Sequence, residues 1–197
     1  INGDARSISK LPIKRKVNFV ITSPPYPNEK DYSRTTRLES VLLDYINNKE
    51  QLRFMKKQFI RSNTKNVYKE DDDFRYVENI DSISKLSQEI EEKRIELGKT
   101  SGFEKLYSRV VKLYFGGMAR HFIELKSILE KDARLAYVVG DQASYFNIPI
   151  RTAKLLAEIA ENVGYEVENI ELFRKRYATR TNTWLNEEVL ILKYLGD

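Results

Sequence analysis

A run of apolar residues stopped by two prolines constrains this chain more than any other feature. Val17-Asn18-Phe19-Val20-Ile21 leads into Thr22-Ser23-Pro24-Pro25-Tyr26. The run is short, β-branched and aromatic, the pattern of a buried parallel strand. Two consecutive prolines offer no N–H to a ladder and hold φ near one value, so the strand must end there and the loop after it is stiff. In open α/β sheets the loops at the carboxyl ends of parallel strands are where ligands sit. Upstream, Gly3-Asp4 ends another extended stretch, and residues 5–10 read as a short helix before the strand.

The second half of the chain supplies the rest of such a sheet. Arg134-Leu135-Ala136-Tyr137-Val138-Val139 reads as a buried strand ending at Gly140-Asp141-Gln142. Residues 150–163 are amphipathic and helical, and Gly164 ends them. Residues 165–173 and 188–194 read as two strands joined by 174–182, a link too short for a crossover helix, so these strands are antiparallel. The expected fold is α/β: a Rossmann-like sheet, partial in this chain, with an antiparallel last strand. Residues 1–37 and 132–197 form its core, and 38–131 read as a helical insertion. Within the insertion we expect a helix from Thr36 to about Asn47, capped by Thr35 or Thr36, with Glu39 as the capping-box acid for Thr36. A second helical stretch should run through Phe59, then a loop over 61–79, a helix over 81–97 with Gly98 as its C-cap, and a long helix over 103–131. Carboxyl ends in a parallel sheet share one rim, so Ser23-Pro24-Pro25-Tyr26, Asp141-Gln142 and the basic loop 174–182 should meet at one mouth.

Composition removes several function classes. The chain has 197 residues and no cysteine, which excludes disulfides, thiolate zinc sites and cysteine nucleophiles. No apolar run approaches membrane-spanning length and no signal peptide is visible, so a cytoplasmic protein is expected. The net charge of +5 comes from 34 Lys+Arg and 29 Asp+Glu. It is uneven: Arg6, Lys10, Lys14, Arg15, Lys16, Lys30, Arg34 and Arg37 outweigh Asp4, Glu29 and Asp31 in the first 37 residues. Arg174, Lys175, Arg176 and Arg180 lie in a stretch, 172–186, without any acid. Such clusters suit a phosphate backbone or a solvated basic face. Residues 61–75 mix basic, amide and aromatic groups suited to bases or phosphates, and Asp71, Asp72 and Asp73 read as a solvated or helix-capping run. Gly98-Lys99-Thr100 is not a phosphate-binding loop, because Lys93 stands where that loop needs glycine. His121 has no Ser or Cys nucleophile context and reads as structural.

The order Gly-Asp, short helix, apolar strand, Ser-Pro-Pro-Tyr resembles the amino-methylating DNA methyltransferases, over residues 1–37 and 132–197. The resemblance implies methyl transfer from S-adenosylmethionine to an exocyclic amino group of double-stranded DNA, in a prokaryotic restriction-modification setting. The Ser form, preceded by Thr22, looks most like the cytosine-N4 branch, with adenine-N6 as the alternative. Cytosine-C5 chemistry would need the absent cysteine. The implied catalytic loop is Ser23, Pro24, Pro25 and Tyr26. Ser23 Oγ and the Pro24 carbonyl would accept the amino hydrogens, and Tyr26 would stack on a base flipped out of the duplex. No metal is required. In the family, the acidic residue matching Asp4 accepts a hydrogen bond from the cofactor adenine; on its own, Asp4 reads equally as a turn or cap residue. DNA contacts are expected from Lys30, Arg34, Arg37, Arg174, Lys175, Arg176, Tyr177 and Arg180. The family's Gly-rich cofactor turn is not found in this sequence. An N-terminal segment, a second polypeptide or a permuted order would supply it, and this chain alone should bind the cofactor weakly. The competing readings are a non-catalytic DNA-binding subunit, an RNA or protein-glutamine methyltransferase, which usually has Asn in place of Ser23, and a purely structural helical module.

Overall fold

Strand β1 (Val17–Thr22) forms where the apolar run places it and stops at the residue before Ser23. The structure is a computed structural model that describes residues 1, 3–27, 31–179 and 181–196. Three further strands, β2 (Leu129–Gly140), β3 (Tyr165–Ala178) and β4 (Thr183–Tyr194), complete a four-stranded sheet of order β1-β2-β4-β3. β1 pairs parallel with β2, and β4 runs antiparallel to both β2 and β3. Hence β1, β2 and β3 point the same way, and their carboxyl ends at Thr22, Gly140 and Ala178 share one rim. The molecule is the α/β fold expected, with its last strand reversed.

The sheet is clothed on one face. Leu135, Tyr137 and Val139 of β2 and Leu190, Leu192 and Tyr194 of β4 are buried there. They meet α5 (Tyr107–Leu125) and α6 (Thr152–Asn162), with α4 (Asp81–Glu96) packed behind α5. Phe122 of α5 touches Tyr137 edge-on at 5.1 Å and Tyr165 at 5.8 Å. α5 is therefore a layer of the common core. Gly116 on α5 lets the 3-10 turn Asp73–Val77 lie against the helix: a Cβ there would stand 1.9 Å from the Asp73 carbonyl oxygen. On the opposite face Ala136, Val138, Val189 and Ile191 are only half-buried, while Phe19 and Ile21 of the edge strand β1 are 53% and 71% exposed.

Several sequence boundaries move. The long helix ends at Leu125, a 3-10 turn covers Lys126–Ile128, and β2 begins at Leu129 rather than Arg134. Asp132 sits at φ 64°, and the β1–β2 register slips between Val17 and Phe19; this irregularity breaks the alternation that would have marked the strand. Residues 5–10 hold only the 3-10 turn Ile8–Lys10. The expected helix from Thr36 splits into α1 (Tyr32–Thr35) and α2 (Arg37–Leu42), followed by α3 (Lys49–Lys57). No capping box forms, because the Thr36 hydroxyl turns back to donate to the Tyr32 carbonyl at 2.8 Å. Among the described residues, no helix is long and apolar enough to cross a membrane.

Candidate active site

Ser23 stands on the carboxyl rim because Thr22, its neighbour, pairs with Tyr137 in the middle of the sheet. Its Oγ donates to the Val138 carbonyl at 3.1 Å. That bond directs the hydroxyl proton into β2 and leaves oxygen lone pairs for an incoming donor. Pro24 and Pro25 are half-buried. Tyr26 packs against the core edge and lies over Gly140, where a Cβ would come within 2.7 Å of ring carbon Cε2. Gly140 is thus a close-approach glycine.

Ser23 and Pro25 line a cleft of about 410 Å³ together with Gly3 and Ala5 on one side and Phe59, Ser62, Asn63 and Asn66 on the other. The volume falls within the range of small-molecule sites. Through Gly3, Gln58 and Phe59 it adjoins a wider groove of about 1000 Å³ lined by Tyr45, Phe54 and Met55. Asn66 is buried; its amide nitrogen donates to Asp31 at 3.3 Å, and its Oδ1 has no hydrogen-bond partner. The Asp31 carboxyl fixes the amide's orientation. Burial works to raise its pKa, but hydrogen bonds from Ser33 and Asn66 and the charge of Lys56 outweigh burial and hold it below the usual range. An acceptor-only carboxylate must face the amide nitrogen, which leaves the oxygen as a buried, unmet acceptor.

Beneath the cleft lies an ion-pair cluster. Asp4 accepts from the Arg6 backbone at 2.8 Å, from Arg6 Nε at 3.0 Å and from Arg6 Nη2 at 2.7 Å. Most of its acceptor capacity therefore goes to Arg6, although Gly3 and Ala5 on either side line the cleft. Arg6 also reaches Asp73 at 2.5 Å and the Lys57 carbonyl at 2.7 Å. Burial acts against the Arg6 charge, yet the hydrogen bond to Asp4 and the charges of Asp73 and Asp4 raise its pKa further. Arg120 adds a second cation to Asp73 at 3.1 Å. Asp71 and Asp73 thus have buried carboxylates paired with Arg61 and Arg6 and do not form a solvated or capping run; only the Asp72 carboxylate, paired with Arg75, stands about half in solvent. The sequence conceals this because each partner lies far from Asp73 along the chain.

The rim also carries basic groups. Arg34 and Arg37 are exposed on α1 and α2, and Arg37 Nε donates to the Ser33 carbonyl at 3.3 Å. Residues 174–177 are not in a loop: β3 continues through Ala178, paired with Thr183 at the start of β4. Antiparallel pairing with β4 sustains the strand despite its charges. Arg174 is exposed and paired with Glu187, whose hydrogen bond and charge raise the Arg174 pKa. Lys175 and Tyr177 are exposed, whereas Arg176 is half-buried, with its Nη2 at 3.5 Å from the Asp141 carbonyl. Lys30 and Arg180 lie outside the described residues. Asp141 is buried; it accepts from Arg151 at 2.6 Å and from the Thr152 backbone at 3.2 Å, so it anchors the start of α6. His121 bridges the Ala5 carbonyl at 2.9 Å and the Tyr137 hydroxyl at 2.7 Å. The carbonyl can only accept, so Nδ1 carries the proton and Nε2 receives the tyrosine hydrogen. Burial lowers the His121 pKa, against the Ala5 hydrogen bond and the Asp4 charge.

The chain is 30% identical over 160 residues to the Type II methyltransferase M.AvaI of Nostoc sp. (strain PCC 7120) and equally to that of Anabaena variabilis. The match covers 77% of this chain and 31% of each relative, so the chain spans about a third of their length. A crystal structure of a protein described as a DNA modification methylase, from Thermus thermophilus, aligns with 99% of this chain and 52% of its own at 14% identity and a TM-score of 0.44. That likeness is too loose to carry an argument. No family model matches.

The cleft thus joins residues named from the sequence, Ser23 and Pro25, to ones it did not mark: Phe59, Asn63 and Asn66. Only the amide-rich composition of 61–75 hinted at the last two. Gly140 carried a signal in its place at the end of a strand, but its contact with Tyr26 required the fold.

Proposed function

We propose that this chain is the target-base part of a DNA amino-methyltransferase, with cytosine-N4 as the favoured acceptor. The observation that carries the reading is the Ser23 hydroxyl. It is locked by its bond to Val138 at the mouth of a cleft on the carboxyl rim, with Pro25 beside it. The methyltransferase names of the M.AvaI relatives support the reaction class. The Ser-Pro-Pro-Tyr form supports cytosine over adenine-N6.

An exocyclic amino nitrogen is a weak nucleophile because its lone pair is delocalised into the ring. Ser23 Oγ accepts one amino hydrogen and the Pro24 carbonyl the other, which favours a tetrahedral nitrogen with a localised lone pair. The prolines and the Val138 bond prearrange these acceptors, so little reorganisation accompanies reaction. Tyr26, seated on Gly140, supports the base. When bound, S-adenosylmethionine supplies a methyl on a positive sulfur, which forms the new C–N bond as the C–S pair stays on sulfur. The nitrogen then releases a proton to solvent past Ser23. The cleft fits such a ligand in part: its volume is adequate, Asn66 Oδ1 is an unmet acceptor, and one lone pair of Asp4 Oδ2 remains for an amino donor. Exposed Phe19 and Ile21, the free edge of β1 and the bare sheet face support a further polypeptide segment that completes the sheet and the cofactor site. Exposed Arg34, Arg37, Arg174 and Lys175 would hold DNA phosphates. The expected setting is the prokaryotic cytoplasm.

The test is transfer of labelled methyl from S-adenosylmethionine to DNA, with the completing segment supplied, for wild type and Ser23→Ala. Nucleoside mass spectrometry should place the label on cytosine N4, and the variant should be slower by about 100-fold, the scale of one lost polar contact in a preorganised site. Label on adenine would change the acceptor and keep the mechanism. DNA binding without transfer in any combination would leave a non-catalytic subunit.

A further inference from the structure

The end of the β3–β4 hairpin extends past the sheet. β2 stops at Gly140, opposite Glu187, but β3 and β4 go on pairing through Lys175–Asn186, Arg176–Leu185, Tyr177–Trp184 and Ala178–Thr183. The Asp141 N–H still donates to the Asn186 carbonyl at 2.8 Å, so the last three pairs extend on the order of 10 Å past the sheet at the usual rise per strand residue, one face bordering Gln142, Ala143 and Ser144. Directly opposed residues share a face, and faces alternate along a strand. Lys175, Tyr177, Trp184 and Asn186 therefore lie on one face, and Arg174, Arg176, Leu185 and Glu187 on the other.

The two faces differ. Leu185 and Glu187 are buried and Arg176 half-buried, turned toward the body of the protein. On the other face Tyr177 and Trp184 touch each other, centroids 5.2 Å apart, and remain 47% and 63% exposed. A tyrosine and a tryptophan left open on a narrow ribbon are a large uncovered apolar surface. Neither ring belongs to the hydrophobic core, and the Tyr177 hydroxyl donates to Asn182 at 3.3 Å. Arg174 and Lys175 stand at the ribbon's base, and the stretch bears no acid between Phe173 and Asn186.

We propose that this ribbon enters the major groove of duplex DNA, with Trp184 and Tyr177 against base edges and Arg174 and Lys175 against the flanking phosphates. The dimensions select the groove. With one face against the body of the protein, the ribbon presents its Tyr177–Trp184 face, and a two-stranded ribbon fits a major groove about 12 Å wide and about 8.5 Å deep but exceeds a minor groove about 6 Å wide. Flat rings meet thymine methyls and base edges, and the cations supply the non-specific, salt-sensitive part of binding. The inference rests on the reading of DNA as the substrate and adds a residue, Trp184, and a groove to it.

Trp184 is the only tryptophan in the chain, so its emission reports on this face alone. The full chain is titrated with a mixed-sequence duplex while anisotropy of labelled DNA measures binding. Tryptophan emission should change in step with binding. Trp184→Ala should weaken binding about ten-fold with an unaltered salt dependence, and Trp184→Phe should restore most of it. Lys175→Ala should lower the log–log salt slope by about 0.9. Methyl green, a major-groove ligand, should compete, and netropsin, a minor-groove ligand, should not. DNA binding with silent Trp184 emission and a wild-type affinity for Trp184→Ala would overturn the proposal. So would competition by netropsin alone. Methyl transfer is scored separately: its absence while the Trp184 response persists would refute the enzymatic reading and leave the ribbon's role standing.

Discussion

Ser23 illustrates how a single backbone carbonyl can set a side chain's chemistry. With its proton committed to Val138, the hydroxyl faces the cleft as an acceptor, the role the proposed methyl transfer assigns to it. Gly140 performs a similar service for Tyr26 by having no side chain. Gly140→Ala should cost about 1–3 kcal/mol from the forced contact, read as a lower urea midpoint at unchanged m-value, and should slow methyl transfer. Asp73 belongs to a different class of residue. It neutralises buried Arg6 with help from Arg120, so Asp73→Asn should destabilise by roughly 3 kcal/mol, the lower end for breaking a buried pair because Asp4 still faces Arg6. Thermal unfolding would measure it; a change under about 1 kcal/mol, far below the cost of a broken buried pair, would show the cluster to be well hydrated.

At the scale of elements, β1 is the most telling. It pairs with β2 along one side only, and its outward side chains are bare. Phe19→Lys with Ile21→Lys should leave the isolated chain's stability within about 0.5 kcal/mol, as expected of exposed positions, yet abolish reconstitution of cofactor binding with the completing segment. Calorimetry with and without that segment separates the two effects; tight cofactor binding by the chain alone would contradict the need for it. The apolar runs and glycine stops made β1, the core of β2 and α6 legible in the sequence, because each has an uninterrupted period. The amino half of β2 and the outer half of β3 were not legible. Asp132 interrupts the first, and the second is a charged strand held by its partner rather than by burial. The cleft was legible on the Ser23 side only. Its other wall is built from 58–66, where packing against α5 and ion pairs, not local pattern, set the conformation.

For the molecule as a whole, the single histidine gives a pH signature. His121 is held neutral between Ala5 and Tyr137, with its pKa lowered by burial. The unfolded chain takes up the proton near pH 6.5, while the folded chain resists it. Stability from this group is complete above about pH 6.5 and falls as pH drops below that value toward the folded pKa. Melting temperature should therefore decline between about pH 7 and pH 5, above the range where the Asp31 carboxylate protonates, and His121→Gln should flatten the decline. The strand order has a consequence of another kind. β4 follows β3 in the chain, yet it lies between β2 and β3. β3 emerges earlier with no neighbour to join, and its hydrogen-bonding edge stays open until β4 slides between the two. During that interval the inner edge of β2 and both edges of β3 stand unpaired, the kind of edge that pairs with other chains. A force-sensitive stalling tether placed at successive distances after β3 should register the pull from docking of β3 only once β4 has cleared the exit tunnel.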